Sequence, residues 1–113
     1  MGDKKTDLLP GTLDVLILKT LTRGRMHGYG IAKNIKLMSD DVLEVEEGSL
    51  YPALQRLLIE GYVDAEWGKS ENNRRSRYYR LTPEGRKRLT SRVSELEHML
   101  GAFFKVLGME RGF

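Results

Sequence analysis

Two groups of side chains in this sequence have the types and spacing that bind a phosphate backbone and read base edges. The first group lies in EGSLYPALQRLLIEGY at residues 47–62, where one face of a predicted helix carries Ser49, Tyr51, Gln55 and Arg56. Gln55 could bond an adenine edge and Arg56 a guanine edge, so both are candidate base readers. A phosphate contact is the alternative for Arg56. For Tyr51 the alternatives are a phosphate or sugar contact and a half-buried aromatic that supports the helix start.

The second group is a cluster of cations in the stretch that follows. The net charge of the chain is only +3, so the placement of the charges says more than their sum. A localised basic patch attracts phosphate more strongly than scattered charges do. For any single arginine, a solvated surface position is the alternative. The cluster comprises Arg74, Arg75, Arg77, Arg80, Arg86, Lys87, Arg88 and Arg92, against the single acid Glu84.

The first group needs a helix to present it, and the sequence predicts one. Its buried face is indicated by leucines at helical spacing, namely Leu50, Leu54, Leu57 and Leu58. Ser49 is expected to cap the helix, and Pro52 is expected in the first turn, where a missing N–H is harmless. Gly61 is expected to end the helix in the left-handed conformation.

Two further helices are predicted ahead of this one, from Pro10 to Leu21 and from Tyr29 to about Met38. The connector between them is expected to hold a short extended piece at Met26 and His27. The buried stripe of the second helix is predicted to comprise Ile31, Ala32, Ile35 and Met38.

A β-hairpin with a basic tip is predicted after Gly61. The run from Tyr62 to Trp67 alternates apolar and polar residues, and Arg77 to Leu81 is expected to return as the second strand. The polar turn between them places four residues near the tip, Asn72, Asn73, Arg74 and Arg75. Such a tip can lay cations along or into a minor groove.

The alternation in this hairpin also predicts which side chains point inward. Tyr79 and Leu81 are expected to face the core, and Tyr78 and Arg80 to face outward. Trp67 and Tyr79 are expected to form the core at the base of the hairpin, with ligand stacking as the alternative.

The longest helix is predicted to begin at Thr82-Pro83-Glu84, where the threonine caps it and the proline fits the first turn. Apolar residues then recur at alternating steps of four and three, which is a heptad seam: Leu89, Val93, Leu96, Leu100, Phe103 and Leu107. The core of such a small domain cannot bury the whole length of this seam. A two-fold dimer is therefore expected. The alternative is a helix that folds back on its own domain. The predicted division is a DNA-binding domain at 1–82 and a dimerisation helix at 83–113.

Composition narrows the functional classes. The chain has 113 residues, which favours one domain, and no cysteine, which excludes disulfides and thiolate metal sites. The only histidines, His27 and His98, are expected to pack or cap. No Gly-rich phosphate loop, nucleophile–base pair or metal-ligand spacing is visible, so an enzyme and a cofactor are not expected. No run reaches membrane-spanning length and no signal core is visible, which favours a cytoplasmic protein.

Several segments resemble the PadR family of transcriptional regulators. They are GTLDVLIL at 11–18, HGYGI at 27–31, EGSLYPALQRLLIEGYV at 47–63 and NRRSRYYRLTPEGR at 73–86. The most specific part is LYPALQRL followed by YYRLTPEGR. The short length and single C-terminal helix resemble the smaller subclass. Arg25 stands where proline is common and Gly30 where an acid is frequent, and both departures affect the entry to the second helix.

The resemblance implies a mainly α (α+β) fold, a winged helix-turn-helix with a two-stranded wing and a long C-terminal dimerisation helix. It implies a homodimer that binds a palindromic operator and usually represses. The dimer helix from Leu89 to Leu107 would pack partly on the partner's first helix. By position, the DNA contacts would be Tyr29, Ser49, Tyr51, Pro52, Gln55, Arg56, Asn73, Arg74, Arg75 and Arg77.

Two questions stay open at this point. Some small relatives bind flat aromatic compounds between their C-terminal helices through a tryptophan that this chain lacks there. Phe103 and Phe104 could receive a small aromatic effector, with core packing as the alternative.

The competing function is a winged-helix protein–protein interaction module without specific DNA binding, in which the acidic stretch 40–47 would dock a partner. The clustered cations of the wing favour DNA.

Overall fold

The computed structural model describes residues 11–109. In chain order its elements are α1 (Thr12–Leu21), β1 (Met26–His27), α2 (Gly28–Met38), α3 (Glu47–Ile59), β2 (Val63–Lys69), β3 (Arg75–Leu81) and α4 (Pro83–Leu107). The strands form one antiparallel sheet in the order β1-β3-β2. This is a winged helix-turn-helix, so the predicted fold class is confirmed. Pro10, predicted at the start of the first helix, lies outside the described residues.

The sheet contains a third short strand, β1, in addition to the two strands predicted for the wing. The extended piece predicted at Met26 and His27 pairs with β3, opposite Tyr79 and Tyr78. This pairing joins the connector before α2 to the centre of the sheet. As a result, the start of α2 is fixed beside the wing (β2, β3 and the turn between them).

The core lies between α1, α2, α3 and the base of the sheet. Of the predicted leucine face of α3, Leu50, Leu54 and Leu57 are buried and Leu58 packs at the margin. The predicted burial of Met38 is wrong, because α2 ends at this residue and its sulfur lies 3.1 Å from a guanidinium nitrogen of Arg23 on the surface. The chain then turns through Asp40 and Asp41 in left-handed conformations.

Helix α3 begins earlier than predicted. Glu46 is its N-cap residue and Glu47 its first helical residue, so the expected cap at Ser49 is wrong. Pro52 therefore lies in the second turn, where its ring removes one helical hydrogen bond. The helix tolerates this loss because Gly48 and Pro52 are both exposed and water can satisfy the freed carbonyl. The end is as predicted, with Gly61 at φ +80°.

Helix α4 begins as predicted, with the Thr82 hydroxyl accepting a hydrogen bond from the Gly85 N–H at 3.0 Å. Its first half packs on its own domain, where Leu89 is buried in the core and Leu96 lies against it. Arg92 also donates to the Gly11 carbonyl at 2.8 Å. Leu89 is therefore not free to form a dimer seam. Beyond Leu96, no residue of α4 up to Leu107 belongs to the core.

The close approach of α4 to the end of α3 depends on Gly85. A Cβ at this position would collide with the backbone carbonyl of Tyr62 and with the Leu81 side chain. We therefore expect Gly85→Ala to lower the free energy of unfolding by about 3 kcal/mol. Gly101→Ala is the matched control in the same helix, because the added carbon would meet nothing within 4 Å beyond its chain neighbours and the backbone of its own helix. It should instead stabilise by about 0.5 kcal/mol.

Urea unfolding followed by circular dichroism would measure both substitutions. Equal effects would show that the two glycines are interchangeable helix positions. They would also show that the packing of α4 against the Tyr62 carbonyl is looser than the structure indicates.

Candidate nucleic-acid interface

One face of the wing carries the core at its base and cations farther out. Cross-strand pairs place Ala65 opposite Tyr79, then Trp67 opposite Arg77, then Lys69 opposite Arg75. Since side chains alternate along a strand, all these residues lie on one side of the sheet. We call this side the front face of the wing. The core side of the sheet therefore continues outward, beyond the helices, as an aromatic and basic surface.

The predicted burial of Trp67 is wrong, although the predicted face is right. Its side chain is 58% exposed, whereas Tyr79 is buried as predicted. The strands run about two residue pairs farther than the predicted hairpin, so Trp67 lies beyond the reach of the core. Arg75 and Arg77 cover its ring, with guanidinium carbons 4.5 and 5.9 Å from the ring centroid.

The opposite side, the back face of the wing, holds the acids of β2 in pairs with cations. Asp64 lies 3.7 Å from Arg80, and Glu66 pairs with Arg25. Tyr78 was expected to face outward, and it lies half-buried on this side with Arg25 over its ring at 4.5 Å. The negative charges of β2 are thus directed away from the front face and neutralised there.

A cleft of about 520 Å³ separates the front face of the wing from the start of α2 and one flank of α3. Five of the predicted DNA contacts line it, namely Tyr29, Tyr51, Arg74, Arg75 and Arg77. We call it the wing cleft. Residues that the sequence analysis did not select also line it, including Lys33, His27, Trp67 and Ser76. The one carboxylate among its lining residues is that of Glu71, in the exposed turn of the wing.

The signal for Lys33 was present in the sequence. It lies one turn after Tyr29 on α2, and residues four apart share a helix face. His27 was expected to pack or cap, and it caps α2, because its Nδ1 accepts a hydrogen bond from the Gly30 N–H at 3.0 Å. This cap fixes the backbone from which Tyr29, 70% exposed, reaches into the cleft.

Tyr51 spans the gap between α3 and α2. A Cβ on Gly28 would overlap the Tyr51 hydroxyl, so the glycine makes room for the ring. Burial raises the pKa of Tyr51 above its usual value, and the nearby Glu47 carboxylate and Tyr79 raise it further. The hydroxyl therefore stays protonated at neutral pH and can donate a hydrogen bond. Tyr51 thus supports the helix pair and also borders the cleft, and its contact with phosphate or sugar stays a prediction.

The exposed front of α3 lies beside the wing cleft rather than in it. Gln55 is near the middle of this front, and Tyr51 is on the flank toward the wing. Arg56 is on the opposite flank, where it pairs with Asp14 of α1 at 3.2 Å. Both partners are partly exposed, and a surface pair of this kind contributes about 1 kcal/mol or less, so Arg56 can exchange it for another anion. Ser49 and Pro52 are also exposed.

Two further exposed residues belong to this surface, Ile59 on α3 and Asn73 in the turn of the wing. Ile59, one turn after Gln55, is 76% exposed on the front of α3 and was not selected from the sequence. An exposed isoleucine at this position could make an apolar contact with the methyl group of a thymine. Asn73 occupies the left-handed position of the wing turn at φ +59°, which suits an asparagine.

Within residues 11–109, no group of three or more acidic or histidine side chains could hold a metal ion. In the same part of the chain, no helix is both long and apolar enough to cross a membrane.

The fold and the cleft define a winged helix with a basic front face. Residues 17–91 match the model of the transcriptional regulator PadR-like family. The chain therefore belongs to the PadR-like family of transcriptional regulators, as the sequence segments indicated.

Solved structures support this assignment. A transcriptional regulator from Clostridium thermocellum is 35% identical, with a TM-score of 0.75 over 91% of this chain and 96% of that one. A PadR family transcription regulator from Clostridium difficile is 27% identical, with a TM-score of 0.74 over 86% of this chain and 99% of that one. Bacillus subtilis PadR in complex with operator DNA is 24% identical, with a TM-score of 0.65 over 73% of this chain and 46% of that one. This last likeness is one of fold.

Proposed function

We propose that this regulator is a sequence-specific DNA-binding repressor that binds a palindromic operator as a homodimer. The observation that carries the proposal is the wing cleft. Cations and hydroxyl donors from α2, α3 and β3 meet around it, while the acids of β2 are paired on the back face. Such a surface favours a polyanion on one side of the wing only. The related PadR of Bacillus subtilis has a structure in complex with operator DNA.

In this proposal the front of α3 enters a major groove, and the wing follows the adjacent backbone. Gln55 reads a base edge, because it is near the centre of the exposed front and an amide can bond adenine at two atoms. Arg56, held on the flank by Asp14, contacts phosphate instead. The remaining contacts to phosphate, sugar or groove wall are Tyr29, Ser49, Tyr51, Pro52, Asn73, Arg74, Arg75 and Arg77.

The homodimer is proposed to form through the seam residues of α4 that its own core does not bury. Leu89 belongs to the core of its own domain, and Leu96 lies against that core. Four of the six predicted seam residues therefore carry the contact, namely Val93, Leu100, Phe103 and Leu107. In such a dimer a small aromatic effector would meet Phe103 and Phe104, and this effector stays a prediction.

The proposed function is tested by fluorescence anisotropy with DNA from upstream of the gene that encodes this chain. A scrambled duplex of the same composition is measured beside it, at low and at moderate salt. Tighter binding to the native duplex that persists at moderate salt would support a specific regulator. Equal binding to both duplexes that vanishes with salt would contradict sequence-specific binding there, and would favour another operator or a protein partner.

Gln55→Ala should lower the discrimination between the native and the scrambled duplex by about a hundredfold, because the proposed dimer loses two base contacts and each contributes about tenfold. Binding to the scrambled duplex and the dependence on salt should stay unchanged, because no charge is removed. Arg56→Ala is the comparison on the neighbouring flank and should weaken both duplexes alike. If the Gln55→Ala protein discriminates between the two duplexes as well as wild type does, the Gln55 side chain does not read a base.

A further inference from the structure

Trp67 is an exposed aromatic residue with an unusual setting. It is the only tryptophan of the chain and lies on the front face of the wing with 58% of its surface exposed. The guanidinium of Arg75 lies over its ring at 4.5 Å and that of Arg77 at 5.9 Å. The ring therefore holds two of the cations that line the wing cleft.

The register of the sheet explains why one ring reaches both arginines. Trp67 is directly opposite Arg77, and Arg75 is its diagonal neighbour on the same face. Side chains at diagonal positions are within reach of a long aromatic residue. Within residues 11–109, neither guanidinium is paired with a carboxylate, in contrast to Arg25 and Arg80 on the back face.

We propose that Trp67 is a positioning residue for DNA binding. Its ring holds the flat guanidinium groups of Arg75 and Arg77 against the wing and leaves their N–H edges free for phosphate oxygens. A free arginine side chain samples many rotamers, and a stacked one loses less of this freedom when it binds. The inference deepens the proposed function and rests on it, because it specifies how the wing meets the backbone.

Replacing the ring should weaken binding without changing the number of phosphate contacts. We expect Trp67→Ala to weaken binding to a scrambled duplex about fivefold at low salt, in line with the strength of exposed cation–π contacts. The slope of log affinity against log salt should stay that of the wild type, since the same arginines still bind. Trp67→Phe should restore most of the affinity, because a phenyl ring also stacks with guanidinium.

A double-mutant cycle separates positioning from a direct contact with DNA. If the ring acts through the arginines, Trp67→Ala should have no further effect in a protein that already carries Arg75→Ala and Arg77→Ala. The same fivefold loss in that background would mean that the indole touches DNA itself, which would overturn the proposal. Equal affinity of wild type and Trp67→Ala would overturn it as well. Thermal unfolding should stay unchanged, because the ring lies outside the core.

Tryptophan fluorescence of the free protein tests the stack without DNA. Acrylamide should quench Trp67 more strongly once Arg75 and Arg77 are replaced by alanine. The Arg25→Ala/Arg80→Ala protein, altered on the back face, should behave like wild type. Equal quenching in all three proteins would overturn the stacked geometry. The scrambled duplex needs no operator, so a failure of the proposed specificity would leave these measurements informative.

Discussion

Arg75→Ala combined with Arg77→Ala should reduce the affinity for DNA several hundredfold at low salt. Both guanidinium groups face the wing cleft, and the proposed dimer would present each of them twice. At roughly 1 kcal/mol for each of four phosphate contacts, the loss is about 4 kcal/mol. The slope of log affinity against log salt should fall by about 3.6, because about 0.9 counterion is released per phosphate contact. Anisotropy titrations at four or more salt concentrations would measure both quantities.

The matched control changes the same number of charges on the other side of the same sheet. Arg25→Ala combined with Arg80→Ala removes two arginines whose charges are already paired with Glu66 and Asp64. The net charge of the two double variants is identical, so any difference between them reports position and not total charge. A control that loses as much affinity as the front-face variant would contradict one-sided binding by the wing.

Elements with strong local signals could be predicted from the sequence. Thr82 and Pro83 define the start of α4 through a side-chain cap and a pre-set backbone angle, and Gly61 ends α3 because the position needs a positive φ. The face of each wing residue also followed from alternation, since Tyr79 and Leu81 are buried. These features depend on neighbours within a few residues, and such signals are visible in a sequence.

Features that depend on where other elements end could not be predicted. Trp67 shares a face of the sheet with buried residues, but no helix covers it. The sequence does not show how far a sheet extends beyond the helices that pack on its base. Leu89 fits the heptad seam as well as Leu107 does, yet only Leu89 lies over its own domain. Ser49 was the best capping residue nearby, and the helix nevertheless begins earlier, with Glu46 as its N-cap residue. For Trp67 and Leu89, tertiary contacts override the local pattern.

The candidate site also divides into features that the sequence shows and features that depend on tertiary contacts. Arginines in the wing and a polar front on α3 were visible as composition, and the structure brings five of the ten predicted contacts around one cleft. The pairing of Asp64 and Glu66 with cations on the back face was not visible, because Arg25 and Glu66 are distant in sequence. This pairing is what makes the charge of the wing one-sided.

If the proposed dimer forms through α4, Phe103→Glu should convert it into a monomer at micromolar concentration. Phe103 lies on the outer half of α4, and its side chain is 57% exposed. The nearby side chains of Met99 and Leu107 are also exposed. The radius of gyration is 15.5 Å, above the roughly 13 Å of a compact chain of this length, because this half of α4 projects from the domain. A two-fold contact would bury two added carboxylates at about 2 kcal/mol each, so the dissociation constant of the dimer should rise nearly a thousandfold.

Sedimentation velocity distinguishes this outcome from a general effect of charge. Ser94→Glu adds the same charge to α4 about 180° around the helix from Phe103, at about 100° per residue, and should leave the dimer intact. A wild-type protein that sediments as a monomer would contradict the seam itself. A Phe103→Glu protein that stays dimeric would show that the dimer contact lies elsewhere on the surface. Because a palindrome engages both recognition helices about 34 Å apart, a monomeric variant should also lose most of its preference for the full operator over a half-site.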